Sequence, residues 1–186
     1  MKTFIASLLM FAFAQGLFAQ DINSLSRNER RELITSFINQ DPMQDEYLPT
    51  QYAFYDVDKD GRMELFLRNS AQTVAYVHPK RSGWNELCRA DGNSQMEVAN
   101  GLVAVDGMAG YRFHYKQWVA LQDGIVMSEI SLEETQNEET GDFVPQRMTY
   151  FGEEQSDFKP LLEMIAEYPD TTPVYDLFNW LPFPRQ

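Results

Sequence analysis

Three aspartates at alternate positions, followed by a glycine and a glutamate, form the segment of this chain with the clearest chemical meaning. Asp56, Asp58 and Asp60 occupy the alternate positions, Gly61 follows directly, and Glu64 lies three residues further on. A hard divalent cation such as Ca²⁺ takes about six to eight oxygen ligands, mainly from carboxylates and carbonyls. Alternate side chains of one tight loop can turn several oxygens toward one centre, and a glycine permits the sharp bend this requires.

The spacing assigns a ligand role to each position when the loop is counted from Asp56. Helix–loop–helix calcium sites carry a bidentate glutamate at position twelve, but position twelve is Leu67 here, which cannot bind a cation. The residue at position seven would contribute its backbone carbonyl, and Glu64 occupies position nine, which is also a ligand position in these sites. The predicted metal ligands are Asp56, Asp58, Asp60, Arg62 and Glu64.

The loop resembles the shorter D-x-D-x-D-G-x-x-[DE] calcium loops that connect β-strands, as in integrin-type propeller blades. Its flanks, Tyr52–Tyr55 and Glu64–Arg68, fit short strands and lack the pattern of the amphipathic helices of an EF-hand. The stretch from Tyr52 to Leu67 is also similar to a broad group of exported bacterial proteins without a settled role, which carry a D-x-D-x-D-G-x-x-E-L loop. The resemblance implies calcium binding by an EF-hand-like loop and implies no activity.

Other interpretations of the acidic loop stay open at the level of sequence. Mg²⁺ keeps its bound waters and takes few carboxylates, so it fits four acids less well. Zn²⁺ favours histidine and cysteine ligands, which the loop lacks. An Asp- and Gly-rich hairpin turn can also form without any metal.

The first nineteen residues have the pattern of a secretory signal peptide. A lysine precedes a short apolar run, Ile5–Phe13, and either Ala14 or Ala19 can precede the cleavage point. The run is shorter than the roughly 20 residues of a membrane span, and no later segment is apolar enough to span a bilayer. We predict an exported bacterial protein, secreted or periplasmic, with residues 20–186 forming a single globular domain.

The charge balance limits the classes of partner. The chain carries 28 acidic and 15 basic residues, for a net charge of −13. A strongly acidic surface disfavours nucleic acid and anionic membranes and favours cations. We therefore expect a calcium ion as the partner, with a protein or a glycan as a further candidate.

The remaining sequence predicts an α+β fold, with a meandering antiparallel sheet flanked by two helices. Ser26 and Glu29 form a capping box for a helix over residues 27–39, and Ser156 is the expected cap of a second helix. The expected inner face of that second helix consists of Leu161, Leu162, Ile165 and Ala166. Short apolar or aromatic runs, and alternation over residues 111–121, predict strands over residues 52–55, 64–68, 72–78, 84–89, 102–105, 111–121, 125–132 and 147–151.

Turns and loops are expected between these strands. Asp106-Gly107 and Asp123-Gly124 predict turns, the second being a strong hairpin signal. Residues 133–142 contain five acids and predict a solvated loop. The C-terminal segment Val174–Phe183 is rich in aromatic residues and proline, and we expect it to cover the sheet as an irregular segment.

Other residues support rival functions. His114 has the chemistry of a general base, but nothing in the sequence pairs it with the single cysteine, Cys88. Tyr111, Phe113 and Tyr115 share one face of a predicted strand and could bind a carbohydrate or a protein.

Our main hypothesis is an exported, non-enzymatic protein with a structural calcium-binding loop. The alternatives are a carbohydrate- or protein-binding module and a hydrolase whose carboxylates the sequence does not single out.

Overall fold

The structure is a computed structural model, and it describes four stretches of the chain, namely residues 25–40, 48–78, 83–108 and 110–184. The predicted signal peptide and its cleavage points lie outside these stretches. None of the helices within them is both long enough and apolar enough to cross a bilayer.

Two antiparallel sheets and three short helices account for the regular structure of these four stretches. The α+β class is confirmed, but the strands form two sheets where one was expected. The first sheet contains, in spatial order, β12 (Leu181–Pro182), β1 (Gln51–Tyr55), β2 (Glu64–Arg68), β3 (Gln72–Val77) and β4 (Asn85–Asp91). The second sheet contains β10 (Glu153–Glu154), β9 (Phe143–Tyr150), β8 (Ile125–Gln136), β7 (Phe113–Gln122), β6 (Leu102–Met108), β5 (Ser94–Ala99) and β11 (Thr172–Pro173). The helices are α1 (Arg27–Gln40), α2 (Lys159–Ala166) and α3 (Val174–Leu177).

The inner faces of the two sheets share one hydrophobic core. Phe66 and Ala75 of the first sheet belong to the same buried cluster as Val103 and Val119 of the second. Because side chains alternate between the two faces of a strand, the neighbours Leu65 and Leu67 point away from this core. The first sheet is therefore apolar on both faces.

The two longer helices cover the outer faces of the sheets. Ile34 and Phe37 of α1 pack in one cluster with the outward side chains of β2 and β3. The predicted capping box is present, since Ser26 N donates to Glu29 Oε2 at 2.7 Å and Glu29 N donates to Ser26 Oγ at 3.3 Å. Leu161 of α2 packs against the outer face of the second sheet.

The second sheet differs from the sequence prediction. Strand β5 was not predicted, although Met96 and Val98 alternate into the core. Asp106-Gly107 was expected to form a turn, but both residues lie inside β6. Gly107 lies opposite Ser94, and a Cβ at this position would collide with the Ser94 hydroxyl. The glycine therefore permits the close approach of two strands and does not mark a bend.

The predictions for the connecting segments were partly wrong. The expected loop over residues 133–142 is shorter, because β8 continues to Gln136. Ser156 does not cap α2, and Lys159 N instead donates to Asp157 Oδ1 at 3.0 Å. Leu162 and Ala166 are exposed, because Leu161 and Ile165, four residues apart, form the helix face that packs against the sheet.

The C-terminal segment packs on the fold as expected but is more regular than predicted. It contains α3 and β12, and Leu181 of β12 pairs with Tyr52 of β1. Phe178 lies in the core between the sheets, and Phe183 lies in the cluster beneath α1. The segment therefore contributes to both apolar clusters of the first sheet.

Candidate metal centre

The acidic loop joins β1 to β2, which confirms the expected strand–loop–strand arrangement. Tyr55 and Glu64 are direct partners across this strand pair, so the chain leaves and re-enters the sheet at one point. Asp56 follows Tyr55 immediately. Strand alternation then places Glu64 on the same face as Phe66, toward the core between the two sheets.

Three of the predicted ligands converge at this point. Asp56, Asp58 and Glu64 each offer one carboxylate oxygen, and these oxygens lie within 4.8 Å of one another. Glu64 is only 1% exposed and Asp56 only 7% exposed, so water screens their mutual repulsion poorly. The cluster could hold a metal ion, whose positive charge would offset this repulsion.

Backbone amides of the loop orient the aspartates. The Asp56 carboxylate accepts hydrogen bonds from Asp60 N at 3.1 Å and from Gly61 N at 3.0 Å. Gly61 has a φ of +85°, a left-handed conformation that glycine adopts without steric strain. A carboxylate offers about four lone-pair positions, so Asp56 keeps acceptor capacity for a cation.

The other two predicted ligands pair with each other. Asp60 Oδ1 accepts a hydrogen bond from Arg62 N at 2.7 Å, and Asp60 Oδ2 accepts from Arg62 Nε at 2.7 Å and from Arg62 Nη2. The Asp60 carboxylate is thus neutralised by a guanidinium and is not part of the three-residue cluster. The sequence prediction gave Arg62 a backbone role only and missed this ion pair. Cation binding by Asp60 and by the Arg62 carbonyl stays a prediction.

Burial changes the protonation of the cluster. The pKa of Glu64 is raised to about 8, mainly by burial and in smaller part by the negative charges of Asp58 and Asp56, while the hydrogen bond from Val57 N at 2.8 Å opposes the rise. The pKa of Asp56 is also raised, first by burial and then by the charges of Asp60 and Asp58. The cluster therefore favours either a bound proton or a bound cation near neutral pH.

The second sheet also contacts the loop, through residues that sequence reasoning did not assign to the site. Gly124 N donates to Asp58 Oδ2 at 2.7 Å, and Arg62 Nη2 donates to the carbonyl of Asp123. The Asp123-Gly124 pair did predict a hairpin turn, and that turn is present between β7 and β8. Local sequence patterns carry no signal for its docking against a loop 66 positions away.

The other candidate reactive residues lie outside the cluster. His114 Nε2 is hydrogen-bonded to Asp106 Oδ1 at 2.6 Å, and its Nδ1 lies 3.3 Å from Glu134 Oε2. Cys88 is buried, and burial together with the charges of Glu86 and Glu129 raises the pKa of its thiol. A thiol with a raised pKa is a poor nucleophile.

No family model matches the chain, and neither a curated protein nor a solved structure gives a match. The geometry and chemistry of the cluster are therefore the features of this protein that bear on its function.

The raised pKa of Glu64 predicts how the metal-free protein responds to pH. A folded-state pKa of about 8, above the ordinary value of 4.5, means that the stability of the folded state falls as pH rises between these values. Glu64→Gln removes the charge and keeps an acceptor for Val57 N. In chelator at pH 9, we expect Glu64→Gln to exceed the wild type by a few kcal/mol in free energy of unfolding, with little difference at pH 4.

Urea unfolding across this pH range measures the effect. Glu153→Gln is the matched control, because Glu153 is exposed and its loss should leave the pH dependence unchanged. Parallel pH profiles for the wild type and Glu64→Gln would contradict the assignment.

Proposed function

We propose that the protein is an exported, non-enzymatic protein in which one calcium ion binds the β1–β2 loop and stabilises the fold. The observation that supports this most strongly is the convergence of Asp56, Asp58 and Glu64, with oxygens within 4.8 Å of one another at the margin of a hydrophobic core. The proposal of export depends on the leader pattern of residues 1–19.

The composition of the cluster favours calcium over other divalent cations. Its three members offer only carboxylate oxygens, which suit hard cations and leave out the nitrogen and sulfur donors that zinc prefers. Calcium accepts irregular coordination at about 2.3–2.6 Å, whereas Mg²⁺ demands a near-ideal octahedron and retains several waters. A loop whose side chains come from a single hairpin meets the calcium requirement more easily.

We expect the calcium affinity to be in the range typical of extracellular calcium-binding modules. Extracellular calcium modules bind with Kd values of about 10⁻⁴–10⁻³ M. At a calcium concentration about ten times Kd, binding to the folded state alone adds about 1.4 kcal/mol to the free energy of unfolding. We infer that the ion reinforces a fold that its two sheets already support.

A second candidate function is binding of a carbohydrate or a protein partner at the start of β7. Tyr111 is 84% exposed and Phe113 is 57% exposed, so these rings are available for stacking. Arg112 lies over the Tyr111 ring, with Cζ 5.7 Å from its centroid, and pairs with Glu138. Tyr115, the third predicted aromatic residue, is half-buried, with its hydroxyl 3.4 Å from Ser131 Oγ. Aromatic rings beside charged groups suit the apolar face and the hydroxyl groups of a sugar.

Calcium should raise the melting temperature of the wild-type protein relative to chelator. A gain of about 1.4 kcal/mol corresponds to about 3–5 °C for a chain of this length. We expect Asp56→Asn combined with Asp58→Asn to abolish the rise, because two of the three converging carboxylates lose their charge. Scanning calorimetry in millimolar calcium, in magnesium and in chelator measures it.

The control for this experiment is Asp142→Asn, which removes one exposed carboxylate from the β8–β9 turn. This variant should keep the full calcium response, and magnesium should give a smaller rise than calcium. Identical wild-type melting curves in calcium and in chelator would refute the proposal.

The second candidate function predicts that Tyr111→Ala and Phe113→Ala weaken binding to a polysaccharide with little effect on folding, since exposed residues usually change stability by less than about 0.5 kcal/mol. Affinity electrophoresis through gels containing soluble polysaccharides measures binding. Phe151→Ala is the control, because Phe151 is also exposed, at 47%. It follows the C-terminal end of β9, whereas the start of β7 lies beside the N-terminal end of β9. The carbohydrate hypothesis fails if no polysaccharide retards the wild-type protein or if all three variants migrate alike.

A further inference from the structure

The turn between β7 and β8 holds the acidic loop from the second sheet. Gly124 N donates to Asp58 Oδ2 at 2.7 Å, across 66 positions of sequence, and the Arg62 guanidinium donates to the carbonyl of Asp123. We call these two hydrogen bonds the clasp. They join the first sheet to the second at the edge of the carboxylate cluster.

We propose that the clasp positions Asp58 for the cation, so that Gly124 and Arg62 are positioning residues of the site and cation binding in turn tightens the β7–β8 turn against the first sheet. This inference rests on the proposed calcium site, and it assigns residues of the second sheet a part in positioning that site. The β1–β2 hairpin alone supplies the three carboxylates, but the shorter of the two hydrogen bonds to the Asp58 carboxylate comes from the second sheet.

The geometry of Asp58 supports a positioning role. Asp58 is half-buried, and Lys59, the next residue, has a left-handed φ of +58°. Asp58 Oδ1 accepts a 3.3 Å hydrogen bond from Asp60 N within the loop, whereas Asp58 Oδ2 accepts the shorter, 2.7 Å hydrogen bond from Gly124 N. Hydrogen-bond partners outside the ligand shell orient metal ligands and commonly change affinity about 10- to 100-fold.

Gly124 is suited to this contact in two ways. Its φ of +67° lies in the left-handed region, and a Cβ built on it would lie 2.8 Å from Arg62 Nη2. A side chain at this position would therefore displace either the guanidinium or the turn. Either displacement disturbs the clasp.

A further hydrogen-bonded connection runs from the cluster into the second sheet. Val57 N donates to Glu64 Oε2 at 2.8 Å, and the Val57 carbonyl accepts from Gly101 N at 2.8 Å. The Gly101 carbonyl accepts from Leu121 N at 2.7 Å, close to the β7–β8 turn. Two ligands of the proposed site, Asp58 and Glu64, are thus linked to the second sheet. Binding free energies are reciprocal, so a turn that aids the cation is itself stabilised by it.

Gly124→Ala and Gly141→Ala form a matched pair for the test. Gly141 has a φ of +78° and no atom within 4 Å of a built Cβ, so both variants carry the same backbone strain and only Gly124→Ala disturbs the clasp. We expect calcium titration calorimetry to give a Kd at least about fivefold weaker for Gly124→Ala than for Gly141→Ala. In the wild type, calcium should also slow hydrogen exchange of the Gly124 amide.

Each outcome decides the inference. A weaker Kd confined to Gly124→Ala, together with calcium-dependent protection of the Gly124 amide, supports it. Equal Kd values for the two variants, or an exchange rate that calcium does not change, overturns it while the calcium site itself stands. Absence of a calcium heat signal in the wild type removes both the inference and the proposed function. Because the exchange measurement uses the wild-type protein, it stays decisive if Gly124→Ala fails to fold.

Discussion

The buried carboxylate of Glu64 is the constraint on which the rest of this site depends. Its side chain is 1% exposed, and it shares one small volume with the carboxylates of Asp56 and Asp58. Removal of a charge from water is costly unless a proton or an opposite charge compensates it. The guanidinium of Arg62 is paired with Asp60. Backbone amides that donate to these carboxylates offset part of this cost, and a proton or a cation would offset the rest. The proposed calcium ion would supply that positive charge.

The fold explains how these acids reach the edge of a core. Antiparallel pairing of Tyr55 with Glu64 closes the loop, and strand alternation turns Glu64 toward the second sheet along with Phe66. The same arrangement brings the loop against the β7–β8 turn, where Asp58 meets Gly124. A cation at this position would therefore act on the junction between two sheets as well as on the hairpin that carries its ligands.

Local patterns were sufficient to predict the α+β class, the capping box at Ser26 and the bounds of β2, because each depends on residues close in sequence. The sequence-based predictions were wrong where contact with a residue far away in the sequence determines the local structure. Gly107 has the appearance of a turn residue, but its role is to accommodate Ser94 on the next strand. For the site, spacing identified the three converging acids, whereas the Arg62–Asp60 pair and the contact with Gly124 depend on side-chain direction and sheet packing, which spacing does not encode.

The most direct measurement is a crystal structure of the protein grown in millimolar calcium chloride, with anomalous diffraction to identify the ion. We expect one peak bounded by oxygens of Asp56, Asp58 and Glu64 at about 2.3–2.6 Å. Carboxylates bonded only to water or protons, with no peak between them at this calcium concentration, would contradict the account.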